Sequence, residues 1–236
     1  MNYVDTIDER VRVRQALISV YDKAGLDLLV PGLLRVNPGL RILSTGGTHA
    51  AIAAILGAAG GRAGRPGADG TLVQVSDYTG QPETQGGLVK TLDFKIYLGL
   101  LTETYNEEHA ADLARTGAAP IDLVVVNLYP FAKTIAKAGV TPEQARANID
   151  IGGPCMLRAA AKNFLRVAAV ADPADYPALL AELEAGQGAL GLETRFRLAR
   201  KAFAATAEYD RDIAGYLAGC SAVQVAACYP NLRRWR

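Results

Sequence analysis

Short hydrophobic runs alternate along the chain with longer segments whose apolar residues recur at helical spacing. The runs are rich in Val, Ile and Leu, as strands buried on both faces of a sheet must be. We predict strands at 16–20, 41–43, 72–75, 123–127 and 167–170. Helices are predicted at 24–35, 48–56, 106–116, 141–148, 176–184 and 192–217. This alternation predicts an α/β fold with a doubly wound, mostly parallel sheet and a C-terminal helical extension.

The same pattern predicts one domain. Hydrophobic residues make up 50% of the 236 positions, which is enough for a sizeable core. We expect a single domain over 1–236, with an α/β core at about 14–172 and a helical extension at 173–217. Segment 57–70 breaks the pattern with glycines, Pro66 and two arginines, so we expect a flexible surface loop there.

Charge and cysteine content narrow the function classes. The net charge of +1 gives no electrostatic reason to expect nucleic acid or a membrane surface as a partner. Cys155, Cys220 and Cys228 have no metal-site spacing and cannot all pair, which predicts reduced thiols. We see no signal peptide and no apolar run that approaches a membrane span. We therefore expect a cytoplasmic protein.

One segment, 148–163, combines a carboxylate, a Gly-Gly-Pro turn and a basic helix. Pro154 suits the first position of a helix, and Asp150 lies just outside the positive end of that helix. Arg158 and Lys162 are four residues apart and share a helix face. A carboxylate and an ammonium could thus face one pocket, but a capped helix with a solvated basic face explains the pattern equally well.

Two predicted strand ends carry hydroxyl groups. Segment 44–48 reads STGGT before a helix, and such a turn exposes main-chain N–H groups that suit a phosphate. Similar turns also cap helices without binding ligands. Segment 19–23 reads SVYDK after the first predicted strand, and Lys23 could supply a counter-charge. Lys90 is either a surface charge or a cation aimed at a developing oxyanion.

Several motifs occur in a fixed order over about 14–215. They are ALISV at 16–20, STGGT at 44–48, VSDYTG at 75–80, VKTL at 89–92, DLVVVNLYPF at 122–131, ETRF at 193–196 and LARKAF at 198–203. Together with segment 148–163, they resemble the IMP cyclohydrolase domain of the bifunctional purine biosynthesis proteins. The resemblance implies a methylglyoxal-synthase-like fold. It also implies a hydrolase that closes the ring of 5-formamidoimidazole-4-carboxamide ribonucleotide to give inosine monophosphate (IMP) and water, the last step of de novo purine biosynthesis.

The resemblance further implies catalytic roles for Lys90, Tyr129, Asp150 and Lys162. We assign proton removal to Asp150, oxyanion stabilisation to Lys90, and proton delivery or positioning of Asp150 to Lys162. Asp150 and Lys162 could exchange or share their roles, while Tyr129 holds the substrate or joins the relay. The implied substrate-binding residues, for the 5′-phosphate and the base, are Ser19, Tyr21, Lys23, Ser44, Thr45, Gly46, Gly47, Thr48, Thr91, Asn127, Ile151, Gly152 and Gly153.

The implied reaction is intramolecular, so no metal or organic cofactor is expected. The expected partners are a nucleotide substrate and a separate enzyme that formylates it, and the candidate assembly is a homodimer. Five residues depart from the usual family pattern. They are Tyr21 for serine, Leu88 for arginine, Asp93 and Phe94 for His-Pro, and Tyr97 for the histidine of a His-Gly-Gly motif. Of these, Leu88 removes a cation expected near the nucleotide, and Asp93 adds an anion.

Two other functions remain open. Methylglyoxal synthase, a phosphate lyase, resembles the first half of the chain but lacks the block from Asp150 to Lys162. A non-catalytic nucleotide-sensing module would also bind a phosphate at such loops. Retention of all four implied catalytic residues argues against a sensing module, because phosphate recognition does not require them.

Overall fold

The computed structural model describes residues 3–58, 70–81 and 91–231. Its strands are β1 (Arg10–Arg12), β2 (Gln15–Ile18), β3 (Arg41–Ser44), β4 (Leu72–Gln74), β5 (Leu123–Val125), β6 (Ala168–Val170) and β7 (Ala189–Gly191). Its α-helices are α1 (Leu26–Val36), α2 (Gly46–Ala58), α3 (Val75–Thr79), α4 (Phe94–Leu101), α5 (Glu107–Thr116), α6 (Phe131–Ile135), α7 (Pro142–Ala147), α8 (Gly152–Lys162), α9 (Tyr176–Ala185), α10 (Leu192–Ala218) and α11 (Ala222–Ala227).

Five parallel strands form the main sheet, in the order β4-β3-β2-β5-β6. Every residue of β2, β5 and β6 is buried, because helices cover both faces of the sheet. The chain runs outward from β2 through β3 to β4 and then returns to β5 on the other side of β2. The carboxyl ends of β2 and β5 therefore flank the crevice where sheets of this kind bind ligands. The predicted doubly wound α/β class is confirmed.

Neighbouring residues of β2 serve opposite faces of the sheet. Ile18 belongs to a core cluster with residues of α1, α2 and α9, whereas Leu17 packs with residues of α4, α8 and α10. Helix α10 contributes Leu198 to the first cluster and Ala199 to the second. The segment predicted as a helical extension is thus packed into the core, and it lies against α8, whose first turn borders the crevice.

Most predicted elements are present with shifted ends. Helix α2 begins at Gly46 instead of residue 48, and α8 begins at Gly152, so Pro154 is its third residue instead of its first. Proline is tolerated there because the N–H groups of a first helical turn have no partner within the helix, so its missing N–H costs no hydrogen bond. Strand β1 pairs antiparallel with β7, a long-range contact that no local pattern predicted.

Several predictions concern residues outside the described ranges, namely Lys90, Leu88 and most of the loop at 57–70. Within the described ranges, no helix is long and apolar enough to cross a membrane.

Candidate active site

A pocket of about 290 Å³ opens at the carboxyl ends of β2, β3 and β5 and at the start of α8. The predicted site residues that line it are Ser19, Tyr21, Lys23, Thr45, Gly46, Gly47, Thr48, Thr91, Asn127, Tyr129, Asp150, Gly152 and Gly153. These residues lie far apart in the sequence. The parallel sheet brings them together because its strands all end at the same edge.

Hydroxyl groups hold the two loops after β2 and β3 side by side. Ser19 Oγ and Thr45 Oγ1 lie 2.8 Å apart, and Thr48 Oγ1 donates to the Val20 carbonyl and accepts from the Val20 N–H. Gly47, in the first turn of α2, has open space where a side chain would begin. The positive end of α2 therefore faces a gap suited to a phosphate.

Two residues predicted to bind this phosphate, Ser44 and Lys23, donate hydrogen bonds to main-chain carbonyls. Ser44 is fully buried, and its hydroxyl donates to the Ile18 carbonyl at 2.7 Å, so the prediction that it faces the ligand is wrong. Lys23 lines the pocket, but its ammonium donates to the carbonyls of Val20 and Tyr21. Burial lowers the pKa of Lys23. The ammonium thus secures its own loop while remaining beside the pocket.

Asn127 fixes the loop after β2 through its amide group. Its Oδ1 accepts from the main-chain N–H groups of Tyr21 at 2.6 Å and Asp22 at 2.9 Å, and its Nδ2 donates to the Asp22 carbonyl at 2.8 Å. The Tyr21 ring then meets the Tyr129 ring edge to face, with 5.3 Å between centroids. Tyr21 is 54% exposed and Tyr129 45%, so both rings retain free surface that could stack on a planar base.

Asp150 supplies a partly desolvated carboxylate to the pocket. Burial raises the pKa of Asp150, while hydrogen bonds from the main-chain N–H groups of Gly153 and Tyr129 act in the opposite direction. Burial, and then the negative charge of Asp150, raise the pKa of the Tyr129 hydroxyl. A carboxylate that holds a proton more tightly is a stronger base, and a neutral tyrosine beside it is a hydrogen-bond donor.

Glycine is required at both positions of the Gly-Gly pair after Asp150, because neighbouring side chains come too close for a Cβ atom. A Cβ on Gly153 would collide with the Asp150 carboxylate, and a Cβ on Gly152 would lie 2.7 Å from Thr91 Oγ1. Ile151, between Asp150 and the glycines, is 57% exposed. It is not among the residues that line the pocket, although its neighbours Asp150 and Gly152 are, so its place in the site stays a prediction.

Lys162 does not lie beside Asp150. It is the last residue of α8, so the rise of the helix separates it from Gly152 by about 15 Å. Lys162 instead borders a separate open groove with Glu103 and His109. The structure therefore does not bring Lys162 next to Asp150 within one copy of the chain, because the two residues lie at opposite ends of α8.

The departures from the family pattern have local structural explanations where the structure describes them. Asp93 is buried and caps α4, with Oδ1 accepting from the Lys95 N–H and Oδ2 from the Gln81 side-chain amide. Its charge is thus committed to a helix end instead of the pocket. Tyr97 lies in α4 next to Cys155, and Phe94 is 57% exposed. Of the departures that the structure describes, Tyr21 is the one that lines the pocket.

The sequence did not predict the apolar residues that line the pocket or the hydrogen bond between Tyr209 and the main chain of Asp150. Val20, Leu92 and Met156 complete the pocket. Their hydrophobic side chains look like ordinary core residues in a sequence. Tyr209 accepts a hydrogen bond from the Asp150 main-chain N–H at 2.7 Å, yet it is 59 positions away. Within the apolar pattern of α10, Tyr209 carries no local signal for such a contact.

Comparisons with known proteins find relatives that are named as bifunctional purine biosynthesis proteins. A model of the AICARFT/IMPCHase bienzyme family matches residues 160–233. The bifunctional purine biosynthesis protein PurH of Neisseria gonorrhoeae is 50% identical over 209 residues, covering 89% of this chain and 37% of that protein. PurH of Sorangium cellulosum is 51% identical over 205 residues, covering 87% and 36%. The chain thus spans little more than a third of the length of these relatives.

A solved structure, that of ForH, matches most of both chains. It shares 35% sequence identity with this chain, has a TM-score of 0.68, and the match covers 86% of this chain and 97% of ForH. The two proteins therefore share one fold.

Proposed function

We propose that this chain, which belongs to the family that includes ForH and the matching region of the PurH proteins, is an IMP cyclohydrolase. The proposed reaction closes 5-formamidoimidazole-4-carboxamide ribonucleotide to inosine monophosphate and releases water. The observation that carries the proposal is the partly desolvated Asp150 carboxylate, held at the start of α8 inside a pocket that also offers a phosphate site.

The pocket suggests how the nucleotide lies. Its 5′-phosphate would accept hydrogen bonds from the first turn of α2 and from the hydroxyls of Ser19 and Thr45, with Lys23 nearby. The planar imidazole would then extend past Tyr21 and Tyr129 toward Asp150. This orientation places the ring substituents, where the reaction occurs, at the start of α8.

The chemistry requires proton removal and charge stabilisation. The carboxamide nitrogen attacks the formyl carbon, forming the new C–N bond and leaving the former carbonyl oxygen with negative charge until it is protonated. Asp150 takes the proton from the nitrogen, and its raised pKa makes it a better base for that step. The resulting hydroxyl then takes a second proton and leaves as water when its C–O bond breaks. The former formamide nitrogen loses its proton as the C=N bond forms, and the ring becomes aromatic.

Tyr129 and Lys90 are the proposed partners of Asp150. The Tyr129 hydroxyl, kept protonated by its raised pKa, would donate a hydrogen bond to the substrate or pass a proton to the departing oxygen. Lys90 would stabilise the oxyanion. Its assignment rests on the VKTL motif, and Thr91, the next residue in that motif, lines the pocket.

Further proposals concern partners and location. The substrate already carries a formyl group, which ring closure does not install, and we propose that a separate protein supplies the formylated substrate. A homodimer and a cytoplasmic location remain proposals that sedimentation and fractionation would test.

The direct test is turnover by the pure chain. We expect conversion of the formylated ribonucleotide to inosine monophosphate, followed by absorbance and confirmed by chromatography, with no added metal and in the presence of a chelator. Parallel incubation with dihydroxyacetone phosphate tests the phosphate-lyase alternative. Tight binding of inosine monophosphate without turnover would instead support a sensing module and overturn the proposal.

A further inference from the structure

We infer that Tyr209 of α10 is a positioning residue that sets the place of the Asp150 carboxylate in the pocket. The inference concerns the kinetic consequence of a contact, and in that respect it rests on the proposed function. Tyr209 does not line the pocket, so it would act through Asp150 instead of touching the substrate.

The hydroxyl of Tyr209 bonds to the turn that carries Asp150. It accepts a hydrogen bond from the Asp150 main-chain N–H at 2.7 Å and donates to the Asn148 carbonyl at 3.4 Å. Tyr209 is 7% exposed. Water therefore has little access to replace these bonds, and loss of the hydroxyl would leave the Asp150 N–H without its acceptor.

The main chain and the side chain of Asp150 are thus held by hydrogen bonds to different residues. Its main chain is bonded to Tyr209, and its carboxylate accepts from the Gly153 N–H at 3.0 Å. A residue tied at both points has few alternative positions for its carboxylate. Such preorganisation matters because small displacements of a base from its proton reduce the rate strongly.

The ring of Tyr209 supports the second polar residue of the proposed reaction. It packs edge to face on Phe131 with 6.1 Å between centroids, and Phe131 is 1% exposed. The Phe131 N–H donates to the Tyr129 carbonyl at 2.7 Å. One side chain on α10 therefore supports the segments of both Asp150 and Tyr129.

Helix α10 holds Tyr209 in place through its packing against the rest of the domain. It spans Leu192–Ala218 and packs against α8 and β6. Tyr209 itself belongs to a small buried cluster with Phe131 and Ala145. Within the described ranges, Asp150 interacts electrostatically with Tyr129, from the segment after β5, and with Tyr209, on which Asp210 also acts.

The test compares Tyr209→Phe with Tyr216→Phe. Both changes remove a hydroxyl from α10, and both rings pack on Phe131 at 6.1 Å, but the bond to Asp150 belongs to Tyr209. In Tyr209→Phe we expect kcat to fall about tenfold while KM stays within about threefold, since a positioning role affects the chemical step more than binding. Tyr216→Phe should keep both constants within about twofold of wild type.

A second readout does not depend on turnover. The Asp150 carboxyl can be titrated by carbon NMR in the wild type and in both variants, and we expect a lower pKa in Tyr209→Phe because the released turn lets water reach the carboxylate. In the wild type, the Asp150 amide should exchange slowly with solvent deuterium.

The outcomes separate this inference from the proposed function. A wild type without turnover overturns the function, whereas the titration and the exchange rate still report on the contact. Unchanged kcat and unchanged Asp150 titration in Tyr209→Phe would overturn the positioning role. So would equal losses in Tyr216→Phe, which would indicate a general packing effect, or rapid exchange of the Asp150 amide in the wild type.

Discussion

The main-chain N–H of Gly153 donates a hydrogen bond of 3.0 Å to Oδ1 of Asp150. The carboxylate lies so close to the glycine that a Cβ there would collide with it and would also approach a Leu128 methyl carbon to 2.9 Å. The glycine is therefore part of what places the carboxylate at the start of α8.

Gly153→Ala should displace Asp150 from its working position. We expect kcat to fall by about tenfold or more, which corresponds to about 1.4 kcal/mol in the barrier, because a displaced base reaches its proton less well. The matched control is Gly215→Ala in α10, where a Cβ would have nothing within 4 Å. Steady-state kinetics on both variants provides the check, and an unchanged kcat in Gly153→Ala would contradict the account of the Gly-Gly pair.

Much of the fold could be predicted from the chain because its signals are local. The buried runs around Ala16, Arg41 and Leu123 produced strands, as their continuous apolar pattern requires. The pairing of β1 with β7 could not be predicted, because Arg10 meets Gly191 across most of the chain and both strands are short. Neither strand has an alternating pattern long enough to be recognised.

The site was predicted in part for the same reason. Asp150 and the Gly-Gly pair form one local motif, and the structure brings them to the strand ends. Lys162 lies away from the pocket because α8 carries it to the opposite end of the helix, and a motif does not show where a helix begins. Ser44 was misplaced because a hydroxyl at a strand end can face either a ligand or the neighbouring strand, here the carbonyl of Ile18.

Substitutions of the neighbouring residues Thr45 and Ser44 should have different effects, one on phosphate binding and the other on the stability of the fold. Thr45→Val keeps the shape and removes a pocket hydroxyl, so the Kd for inosine monophosphate should rise about threefold to tenfold, while the Kd for inosine, which lacks the phosphate, should not change. Ser44→Ala should leave both Kd values unchanged and lower the free energy of unfolding by about 1 kcal/mol. Calorimetric titration and denaturant unfolding measure these effects. Equal weakening of both ligands in Thr45→Val would contradict the phosphate assignment.

Arg195 should prove structural despite its place in the ETRF motif. Arg195 is 1% exposed, and its guanidinium donates to the main-chain carbonyls of Asp8, Glu9, Phe164, Leu165 and Leu190. Arg195→Lys cannot reproduce this fork of donors, so we expect the free energy of unfolding to fall by about 2–4 kcal/mol.

The control for that change is Arg197→Lys. The side chain of Arg197 is 45% exposed and forms an ion pair with Asp175, so the substitution should cost less than about 1 kcal/mol. Denaturant unfolding of both variants measures the difference. Equal costs would show that the buried carbonyl cluster around Arg195 contributes little.

The pH dependence of turnover should follow Asp150. A general base works in its deprotonated form, so kcat should fall as the pH is lowered and Asp150 becomes protonated. Because burial raises the pKa of Asp150, this fall should begin at a pH above the ordinary aspartate pKa of about 3.9. A raised folded-state pKa also means that protonated Asp150 favours folding and that this contribution is lost as pH rises through that pKa. At neutral pH, Asp150→Asn should therefore unfold no more easily than the wild type.

The most direct test of the account is the turnover of Asp150→Asn measured together with its affinity for inosine monophosphate. Asparagine keeps the size of the side chain and removes the base, so we predict a loss of about a hundredfold or more in kcat. The Kd for inosine monophosphate should stay within about tenfold of wild type, because the phosphate contacts lie at the other end of the pocket. Near-normal turnover in a variant that binds the nucleotide normally would contradict the assignment of Asp150 as the base that drives ring closure.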